Sequence, residues 1–135
     1  MARFNWLEKL ELTAAGLILD VSKLLPGQPD GVIGVPLLVT EKSEHFRVHF
    51  QRVGAFRLVP EPFNQVSDRA EEHCDFLLQE NASDYLSEMT DAARFAAGIP
   101  SGGTLLHFIV YTENHVVHVL TAQKPSITSV SAVGP

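Results

Sequence analysis

The clearest pattern in the chain is an alternation of apolar and polar residues between positions 45 and 59. Even positions carry the apolar side chains, namely Phe46, Val48, Phe50, Phe56 and Leu58. Odd positions carry polar side chains, namely His45, Arg47, His49, Gln51 and Arg57. Successive side chains of a strand point to opposite faces, so the pattern predicts one buried and one solvent-facing side. Antiparallel sheets commonly leave one face in water, so an antiparallel sheet is favoured.

Two arrangements keep this alternation in phase. A three-residue loop from Val53 to Ala55 would fold the segment into a hairpin in which residue 50 faces residue 58. A bulge at Gly54 would instead leave one long strand. The sequence does not choose between these two arrangements.

A second hairpin is predicted near the end of the chain. Residues 105–112 are apolar at nearly every position, as in a strand covered on both faces, and residues 116–122 follow a turn at Glu113-Asn114. In this hairpin the residue numbers of opposed positions add to 227, which places His107 opposite Leu120 and His118 opposite Ile109. Beyond Pro125, residues 127–130 could add a short edge strand.

The beginning of the chain fits two interpretations. Residues 4–25 match a helix entered at Asn5, but Leu10, Leu12 and Ala14 also alternate as in a strand, which we favour. Residues 26–34 are rich in proline and glycine, which disrupt helices and strand ladders, so a surface loop is predicted there.

One short helix is predicted near residues 84–97. Ser83 or Asp84 can cap its start, and Gly98 followed by Pro100 is a typical stop signal. The preceding residues, 68–80, fit either a helix or a strand. The fold class expected is therefore α+β, mainly antiparallel β-sheet with one short helix near residues 84–97.

The second half of the chain carries a familiar order of motifs. A Phe-Leu-Leu-x-Glu-Asn strand at 76–81 is followed by Ala82-Ser83-Asp84-Tyr85-Leu86, by the apolar run 106–120 and by Pro125. Over about residues 76–127 this order resembles a group of small, strand-rich bacterial cytosolic proteins without assigned activity. The resemblance implies a strand, not a helix, from Phe76 to Glu80.

Length and composition are typical of one small globular domain. The chain has 135 residues, of which 45% are hydrophobic and 19% charged, so a single domain over 1–135 is expected, with a weakly ordered tail from about 131. The longest apolar stretch, Val32 to Val39, is far shorter than the ~20 residues of a membrane span. A charged N-terminus and the single cysteine, Cys74, favour a cytoplasmic location without disulfides.

Acidic residues are concentrated in one part of the sequence. The net charge is −6, and between Glu61 and Asp91 nine acidic residues face only Arg69. Such a field repels phosphate backbones and anionic membranes, so neither nucleic acid nor a membrane is an expected partner. It would attract a basic protein. The residues expected to bind such a partner are Glu71, Glu72, Asp75, Glu80, Asp84, Glu88 and Asp91.

Among the six histidines, His107 and His118 are the best candidates for chemistry. The hairpin register makes them diagonal neighbours on one face, roughly 7 to 8 Å apart, a distance that could admit a metal ion or a water. Their neighbours are apolar and supply no third ligand, so no metal, cofactor or catalytic residue is predicted. His45 and His49 lie too far apart along a strand to share a metal.

Three functions are compatible with these observations. The first is a non-enzymatic protein-interaction module with an acidic face, such as an immunity protein that neutralises a basic nuclease. The second is a small enzyme or a metal- or ligand-binding protein that uses His107 and His118. The third is a homo-oligomer subunit that associates through the 105–122 hairpin or the tail strand.

Overall fold

The structure is a computed structural model that describes residues 5–26, 37–39, 43–60, 71–80, 85, 92–98 and 104–130. Most of these residues form antiparallel strands, which confirms the expected fold class. The strands are β1 (Asn5–Thr13), β2 (Gly16–Lys23), β3 (Leu25–Pro26), β4 (Leu37–Leu38), β5 (His45–Phe50), β6 (Val53–Pro60), β7 (Glu71–Cys74), β8 (Leu77–Glu80), β9 (Leu106–Tyr111), β10 (His115–Thr121) and β11 (Ser126–Val130).

The strands pair into two main sheets. The first sheet has the order β1-β2-β5-β11, and the second has the order β6-β10-β9-β8-β7. Strands β3 and β4 pair separately as a small ribbon. Of the predicted loop at 26–34, only Pro26 is described, and it belongs to β3. The predicted tail from 131 lies outside the described residues.

The beginning of the chain is a hairpin, so the strand interpretation of residues 4–25 is confirmed. β1 and β2 pair from Asn5 opposite Lys23 to Thr13 opposite Gly16. Gly16 has φ of 125°, and a Cβ atom there would stand 2.1 Å from the carbonyl oxygen of Phe50. Glycine therefore lets the turn pass directly over the end of β5.

The segment 45–59 forms neither the predicted hairpin nor the single long strand. β5 lies between β2 and β11 in the first sheet, whereas β6 pairs with β10 at the edge of the second. The chain changes sheet at Gln51-Arg52, and Arg52 takes the unusual positive φ of 49°. The alternation is the same in both strands because each has one face toward a shared core. It therefore indicated which side chains are buried, but not which strands pair with β5 and β6.

That core lies between the two sheets. The first sheet contributes Leu7, Leu17, Leu19, Val21, Val48 and Phe50, and the second contributes Phe76, Leu77, Phe108, Val110, Val117 and Val119. The rings of Phe50 and Phe108 lie 6.1 Å apart across the interface. Leu58, predicted on the buried face, is 48% exposed because β6 is an edge strand.

The hairpin formed by β9 and β10 occupies the middle of the second sheet. Its register is the predicted one, with His107 opposite Leu120 and Ile109 opposite His118. Both of its edges are paired, one with β6 and one with β8. Described strands therefore occupy both edges of the hairpin, and self-association of the chain through it stays a prediction.

A short helix covers part of the outer face of the second sheet. Tyr85 and residues 92–96 are helical, and residues 86–91 lie outside the described part of the chain. Ala93, Ala97 and Tyr85 pack with Leu105 and Leu120 on that face. The helix ends as predicted at Gly98, which has φ of 72°, and Gly98 N–H bonds to the carbonyl oxygen of Phe95.

The alternatives left open for residues 68–80 are settled from Glu71 onward. Both β7 and β8 are strands, as the resemblance of residues 76–127 implied for Phe76 to Glu80. The tail strand is also confirmed, since β11 pairs with β5 at the edge of the first sheet. Within the described segments no helix is long and apolar enough to cross a bilayer.

Candidate functional site

Strand pairing brings four polar residues together on the outer face of the second sheet. Glu80 lies opposite His107 in the β8–β9 ladder, and Arg57 lies opposite His118 in the β6–β10 ladder. The two imidazoles bond directly, with 2.9 Å between His107 Nε2 and His118 Nδ1. With Tyr85, these residues form what we call the histidine cluster.

Tyr85 covers the histidine pair from the helix side. Its ring packs edge-on against His107 and His118, with centroids 5.7 and 6.3 Å away. The guanidinium carbon of Arg57 lies 4.5 Å from the centroid of the same ring, within cation–π range. His107 and His118 are 4% and 2% exposed. A substrate can therefore reach neither imidazole unless the groups that cover them move.

The surroundings of the cluster keep both histidines neutral. Burial, followed by the neighbouring His118, lowers the pKa of His107 from 6.5 to about 4. Burial, followed by the charge of Arg57, lowers the pKa of His118 to about 4. Glu80 acts in the opposite direction on both pKa values but does not offset burial. Burial also raises the pKa of the Tyr85 hydroxyl.

The geometry does not fit a metal ion between the two rings. Nitrogens that bind one tetrahedral zinc at 2.0 to 2.1 Å lie about 3.3 Å apart, and the 2.9 Å between His107 and His118 is a hydrogen-bond distance. The described residues contain no group of three histidine, cysteine or carboxylate side chains suited to a metal. The predicted gap for a metal or water between the rings is thus closed.

The polar positions 45–57 do not form one surface. His45, Arg47 and His49 lie on the outer face of the first sheet, whereas Arg57 lies on the outer face of the second. The two faces are on opposite sides of the shared core, because β5 and β6 belong to different sheets. The single solvent-facing side predicted for positions 45–59 is therefore divided between the outer faces of two sheets.

The outer face of the first sheet holds a second polar group of residues that the sequence did not reveal. Ser22 Oγ donates to Glu8 Oε1 over 2.5 Å and lies 2.6 Å from His45 Nδ1. Arg47 bonds to both carboxylate oxygens of Asp20, and the bond to Asp20 raises the pKa of Arg47. These residues line an open cleft of about 400 Å³. Glu8 and Ser22 carry no local signal, since only the β1–β2–β5 pairing assembles them.

The order of atoms in this group does not suit nucleophilic catalysis. A nucleophilic serine gives its proton to an imidazole that a carboxylate orients from the far side. Here the hydroxyl of Ser22 stands between the carboxylate of Glu8 and the ring of His45, and its single proton goes to the carboxylate. The arrangement is a hydrogen-bonded chain that connects β1, β2 and β5.

The predicted acidic residues separate into three groups. Glu71, Glu72 and Asp75 are exposed, on β7 and in the turn that follows it. Glu80 is only 8% exposed and belongs to the histidine cluster, so it does not contribute to an acidic surface. Asp84, Glu88 and Asp91 lie outside the described residues.

Comparison of the chain with protein-family models, with curated proteins and with solved structures finds no match. The resemblance of residues 76–127 to small bacterial proteins therefore stays a prediction.

Proposed function

We propose that the protein is a non-enzymatic interaction module that binds a basic protein partner along β7. The observation that carries the proposal is an acidic sheet edge. Glu71 and Glu72 are exposed on the last strand of the second sheet, and Asp75 follows in the adjoining turn. An immunity protein that neutralises a basic nuclease belongs to this class of binder.

An edge strand gives such binding both affinity and direction. Among the strands that the structure describes, β7 pairs only with β8, so its outer edge presents backbone groups to which an extended segment can add. Carboxylates beside that edge attract lysine and arginine and accelerate the encounter at low salt. The partner is therefore expected to offer a basic strand or loop.

The same charges disfavour pairing of β7 with itself. Two copies joined at this edge would bring Glu71 and Glu72 close to their equivalents, and like charges that face each other across strands are destabilising. The edge thus discriminates by charge between a basic partner and a second copy of the acidic chain.

The state of the histidine cluster supports a role without catalysis. General acid–base catalysis at neutral pH needs a group whose pKa lies near 7 and which reaches the substrate. His107 and His118 are buried, bonded to each other, and have pKa values lowered to about 4. They fit a structural hydrogen bond beneath Tyr85 better than a reacting pair.

Charge reversal at β7 tests the proposal. Tagged wild-type protein and the double variant Glu71→Lys/Glu72→Lys would be incubated in parallel with lysate of the source organism. We expect wild type to retain a stoichiometric basic protein that is released by high salt and is not retained by the variant. The purified partner should then bind wild type at least about tenfold more tightly than the variant, since opposed charges contribute up to about 1 kcal/mol each.

The matched control is Glu11→Lys/Glu113→Lys, which makes the same change in net charge at exposed positions outside β7, on β1 and in the β9–β10 turn. This control should retain the partner as wild type does. Equal loss of binding in both double variants would mean that only net charge matters, and equal retention in both would exclude β7. Either result, or no retained basic protein, overturns the proposal.

A second candidate function rests on the histidine cluster itself. Titratable groups with strongly shifted pKa values are concentrated at binding and catalytic sites, and His107, His118, Arg57 and Glu80 meet on one sheet face. If the cluster binds a small ligand, untagged protein should carry it in stoichiometric amount, and His107→Gln should abolish binding in a folded chain. Mass spectrometry of the native protein decides this.

A further inference from the structure

The four outer edges of the two sheets differ in how they are protected against pairing with another strand. The β1 edge is partly covered by the turn after β9. Glu113 N–H donates to the carbonyl oxygen of Asn5 over 2.8 Å, and the Asn114 amide bonds to both backbone groups of Leu7 at 2.9 Å. A bulge between Leu7 and Lys9 also interrupts this strand. Covering contacts and bulges are common ways to protect an edge.

Two further edges carry their own protection. β6 ends in Pro60, which lacks an N–H donor, bears the charged Arg57, and has a register shift where it pairs with Thr121. β7 bears Glu71 and Glu72. Proline and irregular pairing hinder the addition of any strand at β6, whereas the carboxylates of β7 hinder the addition of a second acidic copy.

Within the part of the chain that the structure describes, β11 has none of these features. Its five residues, Ser126–Val130, are all exposed, and they pair with β5 in an unbroken register. The strand contains no proline, and residues 125–135 contain no charged side chain. No other described strand pairs with its outer edge. About half of its backbone hydrogen-bonding groups point away from β5 and toward that edge.

We propose that a second copy of the chain pairs with β11 in an antiparallel dimer centred on Thr128. In this dimer the two first sheets join into one sheet across the two-fold axis. Side chains alternate between the two faces of a strand. The faces of the two copies therefore match only if opposed residues are both even-numbered or both odd-numbered, so that their residue numbers add to an even sum. The register that overlaps all five residues places Thr128 opposite itself and Ser126 opposite Val130.

A second copy fits this edge better than a different protein for reasons of charge. An uncharged edge gives a basic or an acidic partner no electrostatic preference, whereas an identical strand is complementary to it by symmetry. Ile127, at 39% exposure, borders a cleft of about 270 Å³ that Phe46, Cys74 and Phe76 also line. Extension of the sheet past β11 would cover part of the exposed surface of Ile127.

The dimer is expected to be weak. Five residues on each side are far fewer than the 20 to 30 of a standard protein–protein interface. The dissociation constant should therefore be micromolar or higher. The dimer would use the edge of the first sheet and the basic partner the edge of the second, although Cys74 of β7 lines the same cleft as Ile127 of β11.

Charge substitutions at the symmetry axis test the dimer. Sedimentation of the full chain from about 10 µM to about 1 mM should show a reversible dimer for wild type. Thr128→Lys and Thr128→Glu should each be monomeric, because two like charges would face each other across the axis. An equimolar mixture of the two variants should restore the dimer, at least about tenfold more tightly than either variant alone.

The matched control is Thr104→Lys, which adds the same charge at an exposed position outside the strands and should dimerise as wild type does. A circular dichroism melt shows whether each variant is folded. Backbone hydrogen exchange provides a test without substitution, since amides of residues 126–130 should exchange more slowly as wild-type concentration rises. Monomeric wild type at the highest concentration, or a dimer unaffected by both Thr128 variants, would overturn the inference.

Discussion

At the scale of single residues, the histidine pair is the feature with the strongest physical consequences. Two imidazoles share one hydrogen bond of 2.9 Å beneath an aromatic ring and lie next to both a cation and a carboxylate. Burial outweighs the carboxylate, so both rings stay neutral at neutral pH. A proton added to either ring must enter a poorly solvated site, and stability should therefore depend on pH.

The free energy of unfolding should fall as the pH falls from 6.5 to about 4. In this window the unfolded chain binds protons at His107 and His118 that the folded chain does not bind. Each histidine contributes a slope of up to about 1.4 kcal/mol per pH unit, and its stabilisation is fully present above pH 6.5. Urea denaturation at a series of pH values measures this slope.

Replacement of either imidazole should reduce that pH dependence. His107→Gln and His118→Gln each remove one group that takes up a proton when the chain unfolds in this pH range. Each variant should therefore show a shallower slope of unfolding free energy against pH than wild type, even if it is less stable at pH 7. His73→Gln, at an exposed position, is the control and should keep the wild-type slope. An unchanged slope in both buried-site variants would show that the pair is protonated in the folded chain.

Asn114 has a larger structural role than its place in a turn suggests. Its side-chain amide accepts from Leu7 N–H and donates to Leu7 C=O, both at 2.9 Å, and so joins the β9–β10 turn of the second sheet to β1 of the first. Asn114→Ala leaves both backbone groups without these bonds. We expect a loss of about 1 to 3 kcal/mol in the free energy of unfolding, measured by chemical denaturation.

A suitable control for Asn114 is another side-chain amide that makes a hydrogen bond between two connecting segments at the surface. Gln123 Nε2 donates to Gln51 Oε1 over 2.8 Å in an exposed position, so Gln123→Ala should cost less than about 0.5 kcal/mol. If the two alanine variants were equally stable, Asn114 would not be what joins the sheets.

At the scale of elements, the helix depends on close contact with β6. A Cβ atom at Gly54 would stand 2.2 Å from the carbonyl oxygen of Ala93, which is backbone and cannot rotate away. Gly54→Ala should therefore displace the helix from the second sheet and lower the free energy of unfolding by about 2 kcal/mol or more. Near-ultraviolet circular dichroism should also change, because Tyr85 packs in one buried cluster with Ala93 and Ala97.

Gly98→Ala is the companion measurement. Gly98 has φ of 72°, but an added Cβ atom would meet nothing closer than 3.9 Å. Only backbone strain remains, so the loss should be about 1 kcal/mol and the signal of Tyr85 should be unchanged. A Gly54→Ala variant as stable as Gly98→Ala would contradict the close packing of helix and sheet.

The elements that the sequence predicted well are those defined by local signals. The β9–β10 register followed from two apolar runs and one short turn, and the helix stop followed from Gly98. The separation of β5 from β6 could not be predicted, because alternation gives the phase of a strand and not its sheet. The positive φ of Arg52 had no signal either, since it is held by bonds from its own guanidinium to Ala97 and Gly98.

The candidate sites, too, could be predicted only where a local signal defined them. The hairpin register placed His107 and His118 on one face, but Tyr85, Arg57 and Glu80 come from other elements and needed the tertiary structure. Glu80 lies two residues after Leu78, so the strand implied for Phe76 to Glu80 places both side chains on one face. Only the pairing of β8 with β9 sets Glu80 opposite His107.

At the scale of the whole molecule, the two sheets end in edges of different chemistry. The second sheet ends in the acidic β7, and the first ends in the uncharged β11. We expect the former to select a basic protein and the latter to select a second copy. The net charge of −6 then has a local function, because the acidic residues are concentrated in the part of the sequence that contains β7.

Hydrogen exchange of the protein alone and in complex with its purified basic partner tests the acidic edge at β7 most directly. We expect slower exchange at the amides of residues 71–75 in the complex, reversed by high salt, with no change along β1. Protection confined to other strands, or to the helix above the histidine cluster, would contradict the acidic edge as the binding surface.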